Sequence, residues 1–222
     1  MTVLHLADEG EAADLAAFLS RLLHYDRGAA VRLQAAGTAL AVFGRPPSFE
    51  VLAIRAVRLA KPYENGLDVT LDVTVSAGEL LESVDESAAT AVVPDAVTGP
   101  PWAGVLPPRG GWRPVPGLPA PDALRAMIGS GVAEFRSRTQ ELAQERRTRA
   151  ELDRIGREIW SRTVGDTRLP VRAVHAAQSL GFLRATGEPA LLSSGAWLRL
   201  RTPYGSIAVR RAGLGALDVS VR

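Results

Sequence analysis

The sequence predicts an α+β protein built from two unequal modules that are joined by a proline-rich strap. Helical and strand patterns occur in both halves of the chain, a segment dense in proline and glycine separates them, and the two halves carry opposite charge. We place an N-terminal helix plus an antiparallel β-meander in residues 1–93 and the strap in 94–121. Residues 122–222 are predicted to form a basic helical unit with a C-terminal β-hairpin.

The formal charge is divided between the two halves. Residues 1–119 carry nine bases against fourteen acids, a charge of −5, whereas 120–222 carry seventeen arginines against ten acids, a charge of +7. Such an asymmetry bears on what a surface attracts rather than on the fold beneath it. It predicts that the halves dock on each other, within one chain or between chains.

A capping box and a helical repeat predict the first helix. Asp8 followed by Glu11 is the pattern in which an acidic side chain caps the first turn. The helix is expected to end near His24. Its apolar residues recur at helical spacing: Ala12, Leu15, Ala16, Leu19, Leu22 and Leu23.

Four strand patterns then predict a meander with one face covered by this helix. They span residues 30–36, 38–43, 49–60 and 67–75. The first two meet at Ala36–Gly37, and the last alternates apolar residues with Asp and Thr. Asn65–Gly66 suits a tight hairpin turn because both residues tolerate positive φ. A short helix over 78–85 closes the module.

The strap contains nine prolines and five glycines among twenty-eight residues. Proline removes backbone donors, so regular sheet pairing is not expected there. A solvated linker is one interpretation, but it would expose Trp102 and Trp112 for no gain. We therefore predict that the strap lies across the surface with both rings docked. A proline-rich ligand for a partner's aromatic groove is the alternative.

The second module reads as three helices followed by a hairpin. The helical patterns run from Pro121 toward Leu142, over 147–163 and over 170–180, the last stopping at Gly181. Gly129 and Gly131 interrupt the first and either weaken it or allow a close approach. The strand patterns are a hairpin over 196–211 and an alternation at Leu217, Val219 and Val221.

No constellation of reactive side chains is visible. The chain has no cysteine, and its three histidines, His5, His24 and His175, are not spaced as a metal or acid–base site requires. Asp68 and Asp72 share a strand face, which is typical of a solvated sheet. We therefore predict no catalytic residue, no cofactor and no metal, with an enzyme assembled from distant carboxylates as the third hypothesis.

Arginines in the second helix of this module are mostly placed to pair with acids. Glu145–Arg149, Asp153–Arg157 and Glu158–Arg162 have the favourable i, i+4 order. The arginines left without such a partner are Arg146, Arg147 and Arg154. We predict that these three, with Trp102 and Trp112, bind a partner.

The order of elements in the last seventy residues resembles a winged helix-turn-helix, and Ala176–Leu183 looks like the stretch that precedes a wing. This resemblance implies that four residues of the third helix enter a DNA major groove: Arg172, His175, Gln178 and Ser179. It implies further that the hairpin contacts phosphates through Arg199, Arg201 and Arg210.

The whole chain also resembles an uncharacterised conserved family of high-GC Gram-positive bacteria. The stretches that carry this resemblance are Pro101–Trp112, Glu134–Arg136 and Ala176–Leu183. The resemblance implies a bacterial, cytoplasmic protein and attaches no activity to it.

These observations favour a non-enzymatic cytoplasmic protein that recognises another macromolecule through its surface. No signal-peptide pattern and no run of eighteen apolar residues occurs, so we expect no membrane association. The expected partner is a protein or a second copy of the chain, and nucleic acid is possible. The alternative function is a winged-helix DNA-binding transcriptional regulator.

Overall fold

A computed structural model describes residues 2–60, 71–184 and 187–211, and it confirms the α+β class. The helices are α1 (Glu9–Tyr25), α2 (Ala77–Glu82), α3 (Pro121–Gln140), α4 (Arg149–Trp160) and α5 (Val171–Ser179). The strands of the first half are β1 (Val3–His5), β2 (Ala30–Ala36), β3 (Ala39–Gly44), β4 (Leu52–Arg58), β5 (Leu71–Ser76), β6 (Val84–Asp85) and β7 (Thr90–Val92). The remaining strands are β8 (Arg113–Pro114), β9 (Ala190–Ser194), β10 (Trp197–Thr202) and β11 (Gly205–Arg210).

Helix α1 begins and ends close to its predicted bounds. The Asp8 side chain accepts a hydrogen bond from the Glu11 backbone N–H at 2.8 Å, which satisfies one of the free donors of the first turn. The buried face consists of Ala12, Leu15, Phe18, Leu19 and Leu22. This face packs on the sheet and fixes the side of the sheet that becomes the core.

The strands of the first half form an antiparallel sheet whose order differs from a four-strand meander. Strands β2, β3 and β4 follow one another, but β5 pairs with the free edge of β2. The edge of β4 is instead taken by β11, with Ser206 opposite Ile54. The predicted turn Asn65–Gly66 and the start of the fourth strand pattern, 67–70, lie outside the described residues.

The strap is docked along the molecule, as predicted. It runs beside β5, where the Val97 N–H donates to the Thr74 carbonyl at 2.9 Å. The expectation that the strap forms no sheet pairing is wrong at Arg113–Pro114, which form β8 and pair with β9. Trp102 packs against an apolar cluster on the sheet. Trp112 is half-buried, donates from its indole nitrogen to the Pro108 carbonyl at 3.0 Å, and lies under the Arg199 guanidinium.

The second half contains the three predicted helices and the predicted hairpin. Pro121 is the first residue of α3, and the hairpin pairs β10 with β11. A Cβ on Gly131 would lie 2.9 Å from the Trp160 ring, so this glycine allows α4 to approach closely, whereas Gly129 faces open space. The stretch before the hairpin, left unassigned by the sequence pattern, forms β9. The predicted last strand, 217–221, lies outside the described residues.

The two halves share one sheet and one core. The eight strands are ordered β5-β2-β3-β4-β11-β10-β9-β8, so the pairing of β4 with β11 joins the halves edge to edge. A small second sheet has the order β1-β7-β6. On the core side, Phe18 of α1 stacks on Phe182 with ring centroids 5.7 Å apart, and Arg184 bonds Asp14 at 2.8 Å. The oppositely charged halves therefore contact each other within the chain.

Candidate functional site

The eight-stranded sheet has one face covered by helices and one outer face. Side chains alternate between the faces of a strand, so the burial of Leu198 and Leu200 in the core places their neighbours outward. The cross-strand pairs Arg199–Ala208 and Arg201–Ser206 continue this face onto β11. Among the described residues, the strap crosses part of it, with Trp112 under the Arg199 guanidinium, and Arg201 and Arg210 are exposed at the hairpin end.

Four arginines lie on or beside this open end, and we refer to them as the arginine face: Arg45, Arg199, Arg201 and Arg210. Arg45, Arg201 and Arg210 are exposed, and Arg199 is half-buried. Among the residues that the structure describes, none of the four forms a salt bridge with a carboxylate. Other arginines, including Arg136 and Arg157, also lack a carboxylate partner in the described residues, so the arginine face is distinguished by the position of its four members together at the hairpin and its cleft.

The local electrostatics differ from one end of the outer face to the other. On β2, Arg32 bonds Asp72 at 2.8 Å and holds the pKa of that carboxyl below its usual range. On β10, burial and then the charge of Arg201 lower the pKa of Arg199. An arginine remains protonated in either case. Two positive charges therefore lie on one face of β10, and a bound anion would reduce their repulsion.

A cleft of about 330 Å³ opens beside the arginine face. Its lining includes the indoles of Trp102 and Trp197, the side chains of Arg45 and Arg210, and a single acid, Glu50. This volume lies at the small end of the range for ligand sites, roughly 300–1,000 Å³. A second cleft of about 400 Å³ shares Arg45 and Trp102 with the first. The site therefore combines flat aromatic surfaces with unpaired cations.

The structure divides the residues that were predicted to bind nucleic acid into two groups. Arg199, Arg201 and Arg210 lie on the outer face, whereas α5 packs on the opposite face of the sheet, against β11 and α3. Within α5, only Gln178 is exposed, and Arg172, His175 and Ser179 are half-buried. The helix therefore presents no free face that could enter a groove together with the hairpin. Nucleic-acid binding by these residues stays a prediction.

The arginines predicted to bind a partner from the 145–162 region have partners within the chain. Arg154 bonds both Glu151 and Glu158, and Arg146 lies 3.8 Å from Glu151. Arg147 donates to two carbonyl oxygens at the end of α3. None of the three predicted i, i+4 pairs is a salt bridge among the described residues. Arg162 instead bonds Glu134 of α3, Arg149 lies 3.9 Å from Asp153, and Arg157 has no carboxylate partner there. Partner binding here remains untested.

His175 lies in an aromatic cluster rather than on a surface. Its ring is 4.4 Å from the Trp160 ring and 5.1 Å from the Phe49 ring, measured between centroids. Burial lowers the pKa of His175 below its ordinary value of 6.5. The neutral form is therefore the one that fits this cluster.

This burial predicts that His175 makes the protein less stable in mild acid. Below about pH 6.5 the unfolded chain protonates this histidine while the folded protein resists protonation. Stability contributed by the neutral ring is therefore complete above that pH and is lost as the pH falls. Urea unfolding of wild type and His175→Gln at about pH 7.5 and pH 5 should show the larger drop in wild type. Equal drops in both proteins would contradict this assignment.

The fold also brings two carboxylates close to one buried cation. Arg55 of β4 is 5% exposed, and its Nη2 atom lies 3.1 Å from both Glu11 and Asp14 of α1. Its Nη1 atom donates to the Tyr204 carbonyl at 2.8 Å. Neither acid lines either of the two clefts described above. The arrangement is an ion-paired joint between the helix layer, the sheet and the hairpin turn.

Two residues of the site, Arg45 and Trp197, were not identified from the sequence. Trp197 alternates along β10 with Leu198 and Leu200, whose side chains face the core. This alternation was the signal that could have placed Trp197 on the outer face. Arg45 directly follows β3 and is brought beside the hairpin only by the pairing of β4 with β11. In the described ranges, no group of three or more His, Asp or Glu residues could hold a metal ion, and no helix is long and apolar enough to cross a membrane.

Comparison with known proteins gives two family matches and a likeness in fold to solved structures. Residues 1–104 match a domain of unknown function, DUF8010, and residues 107–214 match a second one, DUF8185. The junction between the matches falls within the strap. No curated protein matches the chain.

The fold is similar to that of a DNA polymerase sliding clamp. The crystal structure of the clamp from Pseudomonas aeruginosa aligns with a TM-score of 0.51 and 13% identity, over 97% of this chain and 66% of the clamp chain. A ligand-bound crystal structure of that clamp aligns with a TM-score of 0.49 and 13% identity, over 95% of this chain and 64% of the other. The protein thus spans slightly less than two thirds of the clamp chain, and this likeness concerns the fold alone.

Proposed function

We propose that this protein is a non-enzymatic recognition protein that binds another macromolecule through its arginine face. The observation that carries the proposal is the gathering, on the outer sheet face and its cleft, of two half-buried indoles and four arginines that have no carboxylate partner in the described part of the chain. Arginine and tryptophan are the side chains most enriched where binding energy is concentrated. Positive charge left without partners also speeds the approach of an acidic partner and orients it.

The fold likeness gives independent support for this class of function. The similar structure is named as a sliding clamp of a DNA polymerase, which is a protein that works with other macromolecules. We carry over only that class, because a likeness in fold does not transfer a specific activity. An enzyme built from distant carboxylates finds less support, since Glu11 and Asp14 are held by Arg55.

The proposal includes the setting predicted from the sequence. We place the protein in the cytoplasm of a high-GC Gram-positive bacterium, in keeping with the stretches Pro101–Trp112 and Ala176–Leu183. A winged-helix mode of binding is not part of the proposal because α5 lies under the sheet. A protein partner, self-association and nucleic acid all remain compatible with a basic outer face.

The arginine face predicts stronger binding to polyanions than net charge alone would give. We expect wild type to be retained on immobilised heparin and on immobilised polyglutamate, and Arg201→Glu/Arg210→Glu to elute at clearly lower salt from both. The matched control is Arg136→Glu/Arg157→Glu, which makes the same change in charge at exposed helix positions that have no carboxylate partner in the described structure. Equal shifts for the two variants, or no retention of wild type on either matrix, would contradict the proposal.

A further inference from the structure

We propose that the arginine face and its cleft bind a single strand of nucleic acid, with phosphates on the arginines and a base stacked on Trp197. This inference rests on the proposed function and names the class of its partner. Three features carry it: the spacing of the cations, the position of the indoles among them, and the shape of the surface.

The cations form a row suited to a chain of phosphates. Arg199 and Arg201 are two residues apart on the same face of β10, and Arg210 is directly opposite Trp197 on β11. Side chains at i and i+2 of a strand lie on one face roughly 7 Å apart, which is close to the spacing of phosphates along an extended strand. Each arginine also offers a planar pair of donors that matches phosphate oxygens.

The indoles lie among these cations, rather than in a separate apolar patch. Trp197 lies on the arginine-bearing face of β10, and Trp102 lines the same cleft and packs against the same apolar cluster. Proteins that bind single strands combine a basic track with aromatic rings on which bases stack, and every base has a π-face that such a ring can use. Base stacking in a duplex hides those faces. A single strand can therefore place its phosphates on the arginines and a base on an indole at the same time.

The helix side of the molecule, as far as the described residues show it, carries a different charge pattern. Four of the six arginines of α3 and α4 are paired with acids, as in Arg138–Glu158 and Arg154–Glu151. The first turn of α1 carries Glu9 and Glu11. Charge complementarity therefore selects the outer sheet face, and not the helix layer, for a polyanion.

The test is fluorescence anisotropy with a labelled mixed-sequence DNA strand of about 20 nucleotides, the same strand as a duplex, and labelled polyglutamate. Wild type should bind the single strand more tightly than the duplex, with a log–log salt slope near −3 for roughly four phosphates at about −0.7 each. Arg201→Ala/Arg210→Ala should reduce this slope by about half. Arg136→Ala/Arg157→Ala should leave it unchanged.

The stacking contact is tested separately from the charge. Trp197→Ala should weaken binding of the single strand by roughly 5- to 150-fold, whereas Trp197→Phe, which keeps an aromatic face, should retain most of the affinity. Trp197→Phe also covers the case in which the alanine variant fails to fold. Equal losses in the two variants while both remain folded would overturn the stacked geometry.

The outcomes separate this inference from the proposed function. Binding to polyglutamate that depends on the arginine face, together with weak binding to the DNA strand, overturns the inference and leaves a protein partner as the proposed function. Tighter binding to the duplex than to the strand also overturns it. If wild type bound neither heparin nor polyglutamate nor DNA, both the inference and the proposed function would be overturned.

Discussion

Replacing Arg55 with alanine should lower the free energy of unfolding by about 3 kcal/mol, toward the lower end of the range for breaking a buried ion pair. The expected loss follows from the acidic and polar groups that the Arg55 guanidinium now contacts. Glu11, whose side chain is only 11% exposed, would be left with the exposed Arg58 as its cationic partner, and Asp14 would be left with Arg184. The Tyr204 carbonyl would lose its donor as well. Urea unfolding followed by circular dichroism measures the loss.

Arg58 provides the matched control for this prediction. It also pairs with Glu11, at 2.8 Å, but its side chain is 71% exposed, so water replaces most of what it contributes. Arg58→Ala should therefore cost far less than Arg55→Ala. Arg55→Met, which keeps most of the volume but not the charge, separates packing from ion pairing. If Arg55→Ala and Arg58→Ala proved equally stable, the buried ion pairs of Arg55 would contribute no more to the free energy of unfolding than the exposed pair of Arg58.

Local sequence patterns were sufficient to predict those helices and strands whose signals lie within a few neighbouring residues. The cap at Asp8 and the alternation of the hairpin leucines each depend on a short-range rule, and the structure places α1 and β10 where those rules put them. The same holds for the strap, because two tryptophans among prolines gain free energy only if they are docked.

Long-range pairing could not be obtained in this way. Strand β4 has apolar residues on both of its faces, so nothing in its pattern shows that β11 joins it or that Arg55 faces the core between Ala53 and Val57. A strand whose residues are apolar on both faces is buried on both sides, but its pattern does not identify the strands that pair with it. Because Arg45 and Trp197 meet only through that pairing, the cleft was invisible in the sequence.

The composition of α5 carried a signal that the winged-helix interpretation did not use. Alanines at 173, 176 and 177 give the helix little bulk on several sides, and the structure buries all three between the sheet and its neighbouring helices. A helix that enters a groove needs polar side chains on a free face. Small residues around a helix favour a packed position instead, since they let adjacent elements approach closely.

Replacing Phe182 with alanine should have the other large effect, a loss of about 3–5 kcal/mol in the free energy of unfolding. Phe182 is 3% exposed, stacks on Phe18 of α1, and lies so close to Gly205 that a Cβ there would be 2.5 Å from its ring. The ring thus fills the space between the first helix and the hairpin turn, and its removal leaves a cavity at the contact between the two halves. Val97→Ala, at a site 39% exposed, should change stability by less than about 0.5 kcal/mol.

The number of unfolding transitions is as informative as the midpoint of unfolding. Because both halves contribute to one core and one sheet, wild type should unfold in a single cooperative step. Weakening the Phe18–Phe182 contact tests whether residues 1–93 and 122–222 can unfold separately. Two resolved transitions in Phe182→Ala would mean that the modules are independent folding units held together at this ring. A single transition with its midpoint lowered would mean that the shared sheet makes them one unit, and an unchanged midpoint would contradict the packing described here.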